Sequence, residues 1–204
     1  VNIQLEEKVQ ERTAELEEAN RKLADLSITD GLTGLANRRH FDEVFKNEWH
    51  RAKRQHLPVS IAMIDVDQFK LYNDHFGHQE GDACLRRIAA VLSESVQRSG
   101  DLMARYGGEE FVAILPGMKG SDAVKMAEII RQRVQAEKIA HSDTSLSGIV
   151  TVSIGVGSRI PQSSDAAVLL LNEADTALYT AKNSGRNTVV LLDGQAAVPA
   201  DKPE

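Results

Sequence analysis

The feature of this 204-residue sequence that most constrains its fold is an apolar run, Val59–Val66, that follows Pro58 and ends among carboxylates. Such a run predicts a buried strand. Segments with helical or strand-like patterns surround it, and their order predicts an α+β fold, with helices packed on a mixed or mostly antiparallel sheet. Helices are predicted at 38–55, 79–98, 121–137 and 165–183, further strands at 150–156 and 188–192, and a hairpin from 101–105 and 110–115.

The first 29 residues differ from the rest because they contain no Gly or Pro and repeat apolar residues at heptad a and d spacing. Arg12 occupies the one polar slot in that pattern. A single solvated helix lying on its own domain and a parallel two-stranded coiled coil both explain it, and we expect the coiled coil. The predicted organisation is a dimerisation helix at 1–29, a globular domain at 30–192 and a flexible tail at 193–204. The heptad positions are Leu5, Val9, Leu16, Ala19, Leu23 and Leu26.

Charge and cysteine content exclude several classes of protein. Lys and Arg number 24 against 30 Asp and Glu, a net charge of −6, which argues against a dedicated binder of nucleic acid polymers. Cys84 is the one cysteine, so no internal disulfide can form and a reducing compartment is expected. No apolar run reaches the length of a membrane span, and the charged N-terminus does not resemble a signal peptide. We therefore expect a cytoplasmic protein, and the start at Val1 suggests a piece of a longer chain.

Carboxylates stand at two places where the chain is expected to turn. Asp65 and Asp67 lie at the end of the predicted buried strand, and Glu109 follows Gly107-Gly108 at the hairpin tip. The two aspartates would face the same side if the strand runs through Asp67, whereas an earlier strand end would let Asp67 point elsewhere. Glycines at the tip permit positive φ and close approach of a ligand. A carboxylate from each place would form an oxygen-only site, which suits Mg²⁺ bridging substrate phosphates better than zinc.

Cationic and amide side chains follow the same segments. Lys70 lies five residues after Asp65, and Lys182 and Arg186 flank the predicted end of a helix. Together with a metal ion they would neutralise a triphosphate and the charge that develops in phosphoryl transfer. Asn73 and Asp82 could pair with a guanine edge, because a carboxylate accepts from its N–H groups and an amide can donate to its acceptors.

These motifs as an ordered set resemble one known family. The run Arg105-Tyr106-Gly107-Gly108-Glu109-Glu110-Phe111 resembles the signature loop of GGDEF-domain diguanylate cyclases in its GGEEF form. The resemblance covers about 27–192, and the preceding helix resembles the coiled-coil stalks that link sensor domains to this family. Further matching runs include Asp30-Gly31-Leu32-Thr33-Gly34-Leu35, Asn37-Arg38-Arg39, Asp65-Val66-Asp67-Gln68-Phe69-Lys70, Asn73-Asp74, Phe76-Gly77-His78, Gly81-Asp82, Val152-Ser153-Ile154-Gly155-Val156, Ala174-Asp175, Ala177-Leu178-Tyr179, Ala181-Lys182 and Gly185-Arg186-Asn187.

The resemblance implies a palm-like α+β domain that condenses two GTP into cyclic di-GMP and two pyrophosphates. It implies that Asp65, Glu109 and the main-chain carbonyl of Val66 bind Mg²⁺, for which Mn²⁺ can substitute. Glu109 would also assist removal of the 3′-hydroxyl proton. Lys70 would stabilise the transition state and His78 would support the nucleotide loop. Phosphate ligands by resemblance are Lys70, Lys182 and Arg186, and guanine ligands are Asn73 and Asp82.

A second ligand site is implied by Arg98-Ser99-Gly100-Asp101, which resembles the RxxD inhibitory site of the family. That site binds cyclic di-GMP and causes product inhibition, although a surface arginine and an aspartate starting a strand would give the same pattern by chance. Arg51 is the candidate for an extra arginine contributed by a partner domain. A further supporting arginine would fall at Ile129, and Arg131 or Arg133 nearby is a substitute.

The expected partners are GTP, cyclic di-GMP, a second copy of the chain through the coiled coil, and an upstream sensor domain. Each domain of the family binds one GTP, so two domains must face each other for the reaction. The alternative function is a catalytically silent GGDEF module that acts as a receptor for GTP or cyclic di-GMP. Loss of signature residues would favour that alternative, and every catalytic position that can be aligned is present.

Overall fold

The computed structural model describes residues 8–10, 12–13, 28–142 and 148–193. After the helical residues 8–10 and 12–13, the described chain forms ten elements in which one or two helices alternate with one or two strands. They are α1 (Arg38–Gln55), β1 (Val59–Val66), α2 (Phe69–Phe76), α3 (His78–Ser95), β2 (Leu102–Arg105), β3 (Glu110–Pro116), α4 (Gly120–Ala136), β4 (Val152–Arg159), α5 (Ala167–Asn183) and β5 (Val189–Asp193).

The five strands form one sheet in the order β2-β3-β1-β4-β5. Strand β1 pairs antiparallel with both β3 and β4, and β2 pairs antiparallel with β3. Only the pair β4–β5 is parallel among the described strands. The predicted α+β fold with a mostly antiparallel sheet is therefore confirmed.

The central position of β1 explains its apolar sequence, since every one of its residues is buried. Alternate residues face opposite sides of the sheet, as the strand period of two requires. Ala62, Ile64 and Val66 pack into a core with α3 and α4, whereas Ile61 and Met63 pack into a second core with α1 and α5. Helices therefore cover both faces of the sheet.

Most predicted elements agree with the structure to within a few residues, but α2 was not predicted. This eight-residue helix begins after Gln68, which has a left-handed φ of 54° and makes no side-chain capping bond. It ends at Gly77, whose φ is 86°. Because it is short and lacks an N-cap signal, its sequence gives no clear sign that a helix begins there.

Several element ends differ from prediction by one to three residues. Helix α3 ends at Ser95 instead of 98, β4 continues to Arg159, and β5 includes Asp193. The remainder of the predicted tail lies outside the described residues. Of the predicted N-terminal helix, residues 8–10 and 12–13 are helical and exposed, and the other positions lie outside the described part. No helix in the described part is long and apolar enough to cross a membrane.

Candidate active site

A hollow at the end of β1 contains the predicted metal and phosphate residues. Its lining comes from four places in the sequence: the end of β1, the start of α2, the tip of the β2–β3 hairpin, and the end of α5 with the turn that follows. The lining residues include Asp65, Val66, Lys70, Glu109, Lys182 and Arg186.

Strand register explains why these segments meet. Asp65 lies opposite Glu110 of β3 and Ser153 of β4. The residue before Glu110 is Glu109, and its carbonyl accepts a hydrogen bond from the Val66 amide at 3.3 Å. The antiparallel pairing of β1 with β3 thus places the hairpin tip directly beside the end of β1.

Asp65 is only 8% exposed, and its Oδ2 lies 2.8 Å from the Lys182 Nζ. Burial raises the pKa of Asp65 to about 6, Lys182 opposes that rise, and the negative charges of Glu109 and Glu110 add to it. The single ion pair with Lys182 therefore does not fully compensate the negative charge of ionised Asp65. A divalent cation at this position would supply further positive charge.

The donor set also fits Mg²⁺ bound together with a substrate. In the described part of the chain, no group of three or more His, Cys, Asp or Glu side chains could hold a metal ion. Asp65, Glu109 and the Val66 carbonyl offer oxygen ligands, which Mg²⁺ prefers. Such a small protein set leaves positions for water and substrate phosphates, as is usual for Mg²⁺.

The predicted guanine residues lie on a separate wall formed by α2 and α3. Asn73 is on α2, and its Oδ1 is buried without a hydrogen-bond partner among the described residues. A buried acceptor without a donor costs about 1–3 kcal/mol. A Cβ atom at Gly81 would lie 1.9 Å from this oxygen, so a side chain at position 81 would displace the Asn73 amide from its present position. His78 and Asp82 are exposed on the first turns of α3.

The structure decides the orientation of Asp67, which the sequence left open. Strand β1 ends at Val66, and Asp67 turns away from the hollow to contact β4. Its side chain accepts hydrogen bonds from the Thr151 Oγ1 at 2.7 Å and the Ser153 Oγ at 2.6 Å. Asp67 is therefore separated from Asp65 in both environment and direction.

Arg105 is a site residue that the sequence did not single out. Its Nε and Nη2 donate to the Gly108 carbonyl at 3.1 and 2.6 Å, and its Nη1 donates to the Asp30 Oδ1 at 3.2 Å. Thr33 also donates to Asp30 through its amide and hydroxyl. Arg105 thus joins the opening motif to the loop that carries Glu109. Arg105 and Asp30 both lie in motifs that resemble the family, but no local pattern pairs side chains 75 residues apart.

The predicted inhibitory residues flank the turn between α3 and β2. The Asp101 amide donates to the Arg98 carbonyl at 3.0 Å. The Asp101 Oδ2 is buried without a partner among the described residues, and burial raises the pKa of Asp101 against the opposing effect of Arg98. Arg51 lines a hollow with Ser99 and Gly100 of the same chain. One chain therefore places Arg51 beside this turn without a partner domain.

Position 129 is Ile129, and the two nearby arginines that could replace an arginine there, Arg131 and Arg133, have different surroundings. Arg133 donates to the Ser95 Oγ at 2.8 Å and to the Glu94 Oε2 at 2.9 Å, at the end of α3 that leads to Arg98. Arg131 instead donates to the Asn187 Oδ1 at 2.6 Å, next to the predicted phosphate ligand Arg186. Of the two, Arg133 therefore lies nearer the predicted inhibitory turn, and Arg131 lies beside the turn that carries Arg186.

Comparisons with known proteins agree with this geometry. A family model described as "Diguanylate cyclase, GGDEF domain" matches residues 27–188. Response regulator PleD of Caulobacter vibrioides is 45% identical over 175 residues, 85% of this chain and 37% of PleD. Diguanylate cyclase DosC of Escherichia coli is 38% identical over 162 residues, 79% of this chain and 34% of DosC. The chain thus spans little more than a third of these curated relatives.

A solved structure gives the same result at the level of the fold. The coiled coil and GGDEF domain of DgcB from Caulobacter crescentus, in complex with c-di-GMP, is similar with a TM-score of 0.74 and 33% identity. The similarity covers 92% of this chain and 99% of that one. Because the family model covers most of the chain and its motifs meet at one hollow, the chain belongs to the GGDEF-domain family of diguanylate cyclases.

Proposed function

We propose that this chain is the catalytic part of a diguanylate cyclase, which condenses two GTP into cyclic di-GMP and two pyrophosphates. The observation that carries the proposal is the convergence of Asp65, Glu109 and three cationic side chains on one hollow. The names of relatives such as DosC support it. Asn73 and Asp82 lie on the adjacent helices α2 and α3, and this placement supports guanine recognition there.

In the proposed reaction, oxygen ligands would bind the metal ion and a lysine would stabilise negative charge. Asp65, Glu109 and the Val66 carbonyl would hold Mg²⁺, which when bound makes the 3′-hydroxyl more acidic and offsets phosphate charge. Glu109 would take the 3′-hydroxyl proton as the 3′-oxygen bonds to the α-phosphorus of the other GTP and the bond to pyrophosphate breaks. Lys70 would stabilise the charge that develops during this exchange.

Substrate binding would use the remaining predicted residues. Lys182 and Arg186 would hold the phosphates, and Asn73 with Asp82 would pair with guanine. His78, the first residue of α3, would support the nucleotide loop. A carboxylate at position 82 complements the N1–H and N2–H groups that distinguish guanine from adenine.

We infer that the reaction needs two copies of the chain, because each hollow offers one set of metal and phosphate ligands and so binds one GTP. The helix within 1–29 would hold the copies together and connect them to an upstream sensor domain. Val9, at a heptad apolar position, is 57% exposed in the single chain, which supports a seam available to a second copy. The DgcB structure, which includes a coiled coil, supports the same organisation.

Turnover of GTP tests the proposed activity. With Mg²⁺, the wild-type chain should form cyclic di-GMP, resolved by chromatography, and Glu109→Gln should lose at least ~100-fold in rate because a positioned base is removed. Glu43→Gln, an exposed position on α1, makes the same chemical change away from the site and should retain the rate. GTP binding without product in the wild-type chain would favour the silent receptor.

We infer that Arg98 and Asp101 form a product-binding site that inhibits the enzyme, assisted by Arg51. Arg98→Ala should raise the cyclic di-GMP concentration needed for half inhibition by at least ~10-fold, because a charged hydrogen-bond donor to phosphate is lost. Initial rates without product should stay unchanged, and Lys46→Ala, exposed on α1, is the charge-matched control. Equal inhibition of Arg98→Ala and wild type would contradict this assignment.

A further inference from the structure

The turn that carries Arg186 has an unusual backbone. Gly185, Arg186 and Asn187 follow one another with φ values of 103°, 64° and 45°. Left-handed conformations are unfavourable for residues with a side chain and persist only where surrounding contacts hold them. The contacts that hold this turn therefore determine the direction of Arg186.

Two contacts hold the backbone of the turn. The Arg186 amide donates to the Ala181 carbonyl of α5 at 3.2 Å, and the next residue is held by Asp67, which is 1% exposed. The Asn187 amide donates to the Asp67 Oδ2 at 3.0 Å, and the Thr151 Oγ1 donates to the same oxygen at 2.7 Å. The Ser153 Oγ donates to Oδ1 at 2.6 Å, while the Asp67 amide donates to the Thr151 carbonyl at 2.9 Å. Asp67 is thus fixed at the start of β4 by its own backbone and by the hydroxyls of Thr151 and Ser153, and one of its oxygens also binds the turn.

The side chain of Asn187 makes a further contact that restrains the turn. The Asn187 Oδ1 accepts from the Arg131 Nη1 at 2.6 Å, and Arg131 is itself held by Glu128 at 2.6 Å and by the Gln135 Oε1 at 2.8 Å. Asn187 is therefore restrained through both its amide and its side chain. Arg186, one residue earlier, lines the hollow with Asp65 and Lys70.

We propose that Asp67 is a positioning residue for triphosphate recognition: it holds the left-handed turn through the Asn187 amide and so directs Arg186 into the hollow. This inference rests on the proposed function, because it takes Arg186 as a phosphate ligand. A guanidinium binds phosphate through paired, directional N–H groups, so a loosened turn weakens the contact. Guanine is bound on the other wall and does not depend on this turn.

The first readout needs neither substrate nor activity. In the full chain carrying Asp67→Ala, hydrogen exchange at the Asn187 amide should become at least ~10-fold faster than in wild type, because its acceptor is lost. Ser153→Ala is the matched control, since it removes one buried hydrogen bond of Asp67 and leaves the bond to Asn187. Unchanged exchange at Asn187 in Asp67→Ala would overturn the proposal.

The second readout compares two ligands by calorimetry with Mg²⁺: GMP, and a GTP analogue with a methylene bridge between its α- and β-phosphates. Asp67→Ala should weaken the analogue at least ~10-fold and change GMP binding less than ~2-fold, since GMP lacks the β- and γ-phosphates, to which we assign Arg186 in this proposal. Asp67→Asn should rescue the analogue's affinity, because its side-chain oxygen can accept from Thr151 and Asn187 while its amide donates to Ser153.

A double-mutant cycle separates this role from a general effect on folding. In an Arg186→Ala background, Asp67→Ala should change the analogue's affinity less than ~2-fold, because its effect passes through Arg186. Equal weakening of both ligands, or an undiminished effect in that background, would overturn the proposal. If Asp67→Ala does not fold, Asp67→Ser takes its place, since its hydroxyl can pair with the β4 hydroxyls but is too short to reach Asn187. Absence of analogue binding by wild type would count against the proposed function, and the exchange readout would still test the contact.

Discussion

At the scale of single residues, two carboxylates separated by one residue have opposite environments. Asp65 faces the hollow with Lys182 as its ion-pair partner. Asp67 accepts three hydrogen bonds from Thr151, Ser153 and Asn187. The difference arises because β1 ends at Val66, which breaks the alternation that would have placed both carboxylates on one side. Asp65 is thereby suited to ligand binding and Asp67 to holding structure.

The raised pKa of Asp65 predicts a stability cost at neutral pH. Below its ordinary pKa of 3.8 both the folded and unfolded states keep the proton, so Asp65 contributes no difference. Between 3.8 and about 6 the unfolded state ionises while the folded state retains the proton, and the folded state becomes progressively less favoured. Above about 6 the cost is constant at up to ~3 kcal/mol, given about 1.4 kcal/mol per pKa unit.

Asp65→Asn should therefore raise the free energy of unfolding at pH 7.5 by up to ~3 kcal/mol in a chelator, and the gain should disappear as the pH falls to about 4. Urea unfolding at several pH values measures this. Asp42→Asn, exposed on α1, serves as the control for a charge change. A loss of stability in Asp65→Asn at pH 7.5 would show that the ion pair with Lys182 outweighs the cost of burial. Added Mg²⁺ should stabilise wild type more than this variant.

At the scale of elements, contact between α5 and β4 brings Lys182 to Asp65. Glycines on β4 allow this contact, since a Cβ atom at Gly155 would lie 2.1 Å from the Leu178 amide nitrogen and 2.2 Å from the Ala174 carbonyl oxygen. Both atoms belong to the backbone of α5, which a rotamer change cannot move. The distance between strand and helix is thus set by the absence of a side chain.

Gly155→Ala should lower the free energy of unfolding by more than ~3 kcal/mol, because the whole of α5 must shift to admit one methyl group. Gly31→Ala is the control, since no atom lies within 4 Å of its added Cβ. That control should stay within about 0.5 kcal/mol of wild type. Chemical denaturation of both variants measures the difference, and similar stabilities would contradict the packing argument.

The helices and strands themselves were largely predictable, for reasons that lie within each segment. The apolar run of β1 and the spacing of Phe41, Phe45 and Trp49 on α1 reflect burial that repeats with the period of the element. Helix α2 was missed because it begins at the left-handed Gln68, which makes no capping bond with its side chain. Local pattern fails where the start of a helix is decided by the chain around it.

At the scale of the whole molecule, the proposed reaction requires two copies to face each other. A chain beginning at Ser27 lacks the heptad segment and should lose at least ~10-fold in specific activity at nanomolar concentration, with recovery as the concentration rises. Sedimentation and activity measured over a dilution series test this. Arg12→Leu, which places an apolar side chain in the seam, should strengthen the dimer.

Specific activity of the shortened chain that is full and independent of concentration would contradict the role of the segment in dimerisation. That result would instead agree with a single solvated helix lying on its own domain. An inactive full chain that sediments as a dimer would separate dimer formation from a productive arrangement of the two domains.

The sequence by itself determined the α+β class, most element positions and the residue types of the site. The reason is that the spacing of buried residues and the chemistry of a motif are both properties of short segments. Only the tertiary structure decided which of those residues meet. Sheet order and register brought Glu109 beside Val66, joined Arg105 to Asp30, and placed Arg51 next to the turn at Ser99 and Gly100. Each of these contacts joins residues far apart in sequence, so each depends on how strands pair and helices pack rather than on any local pattern.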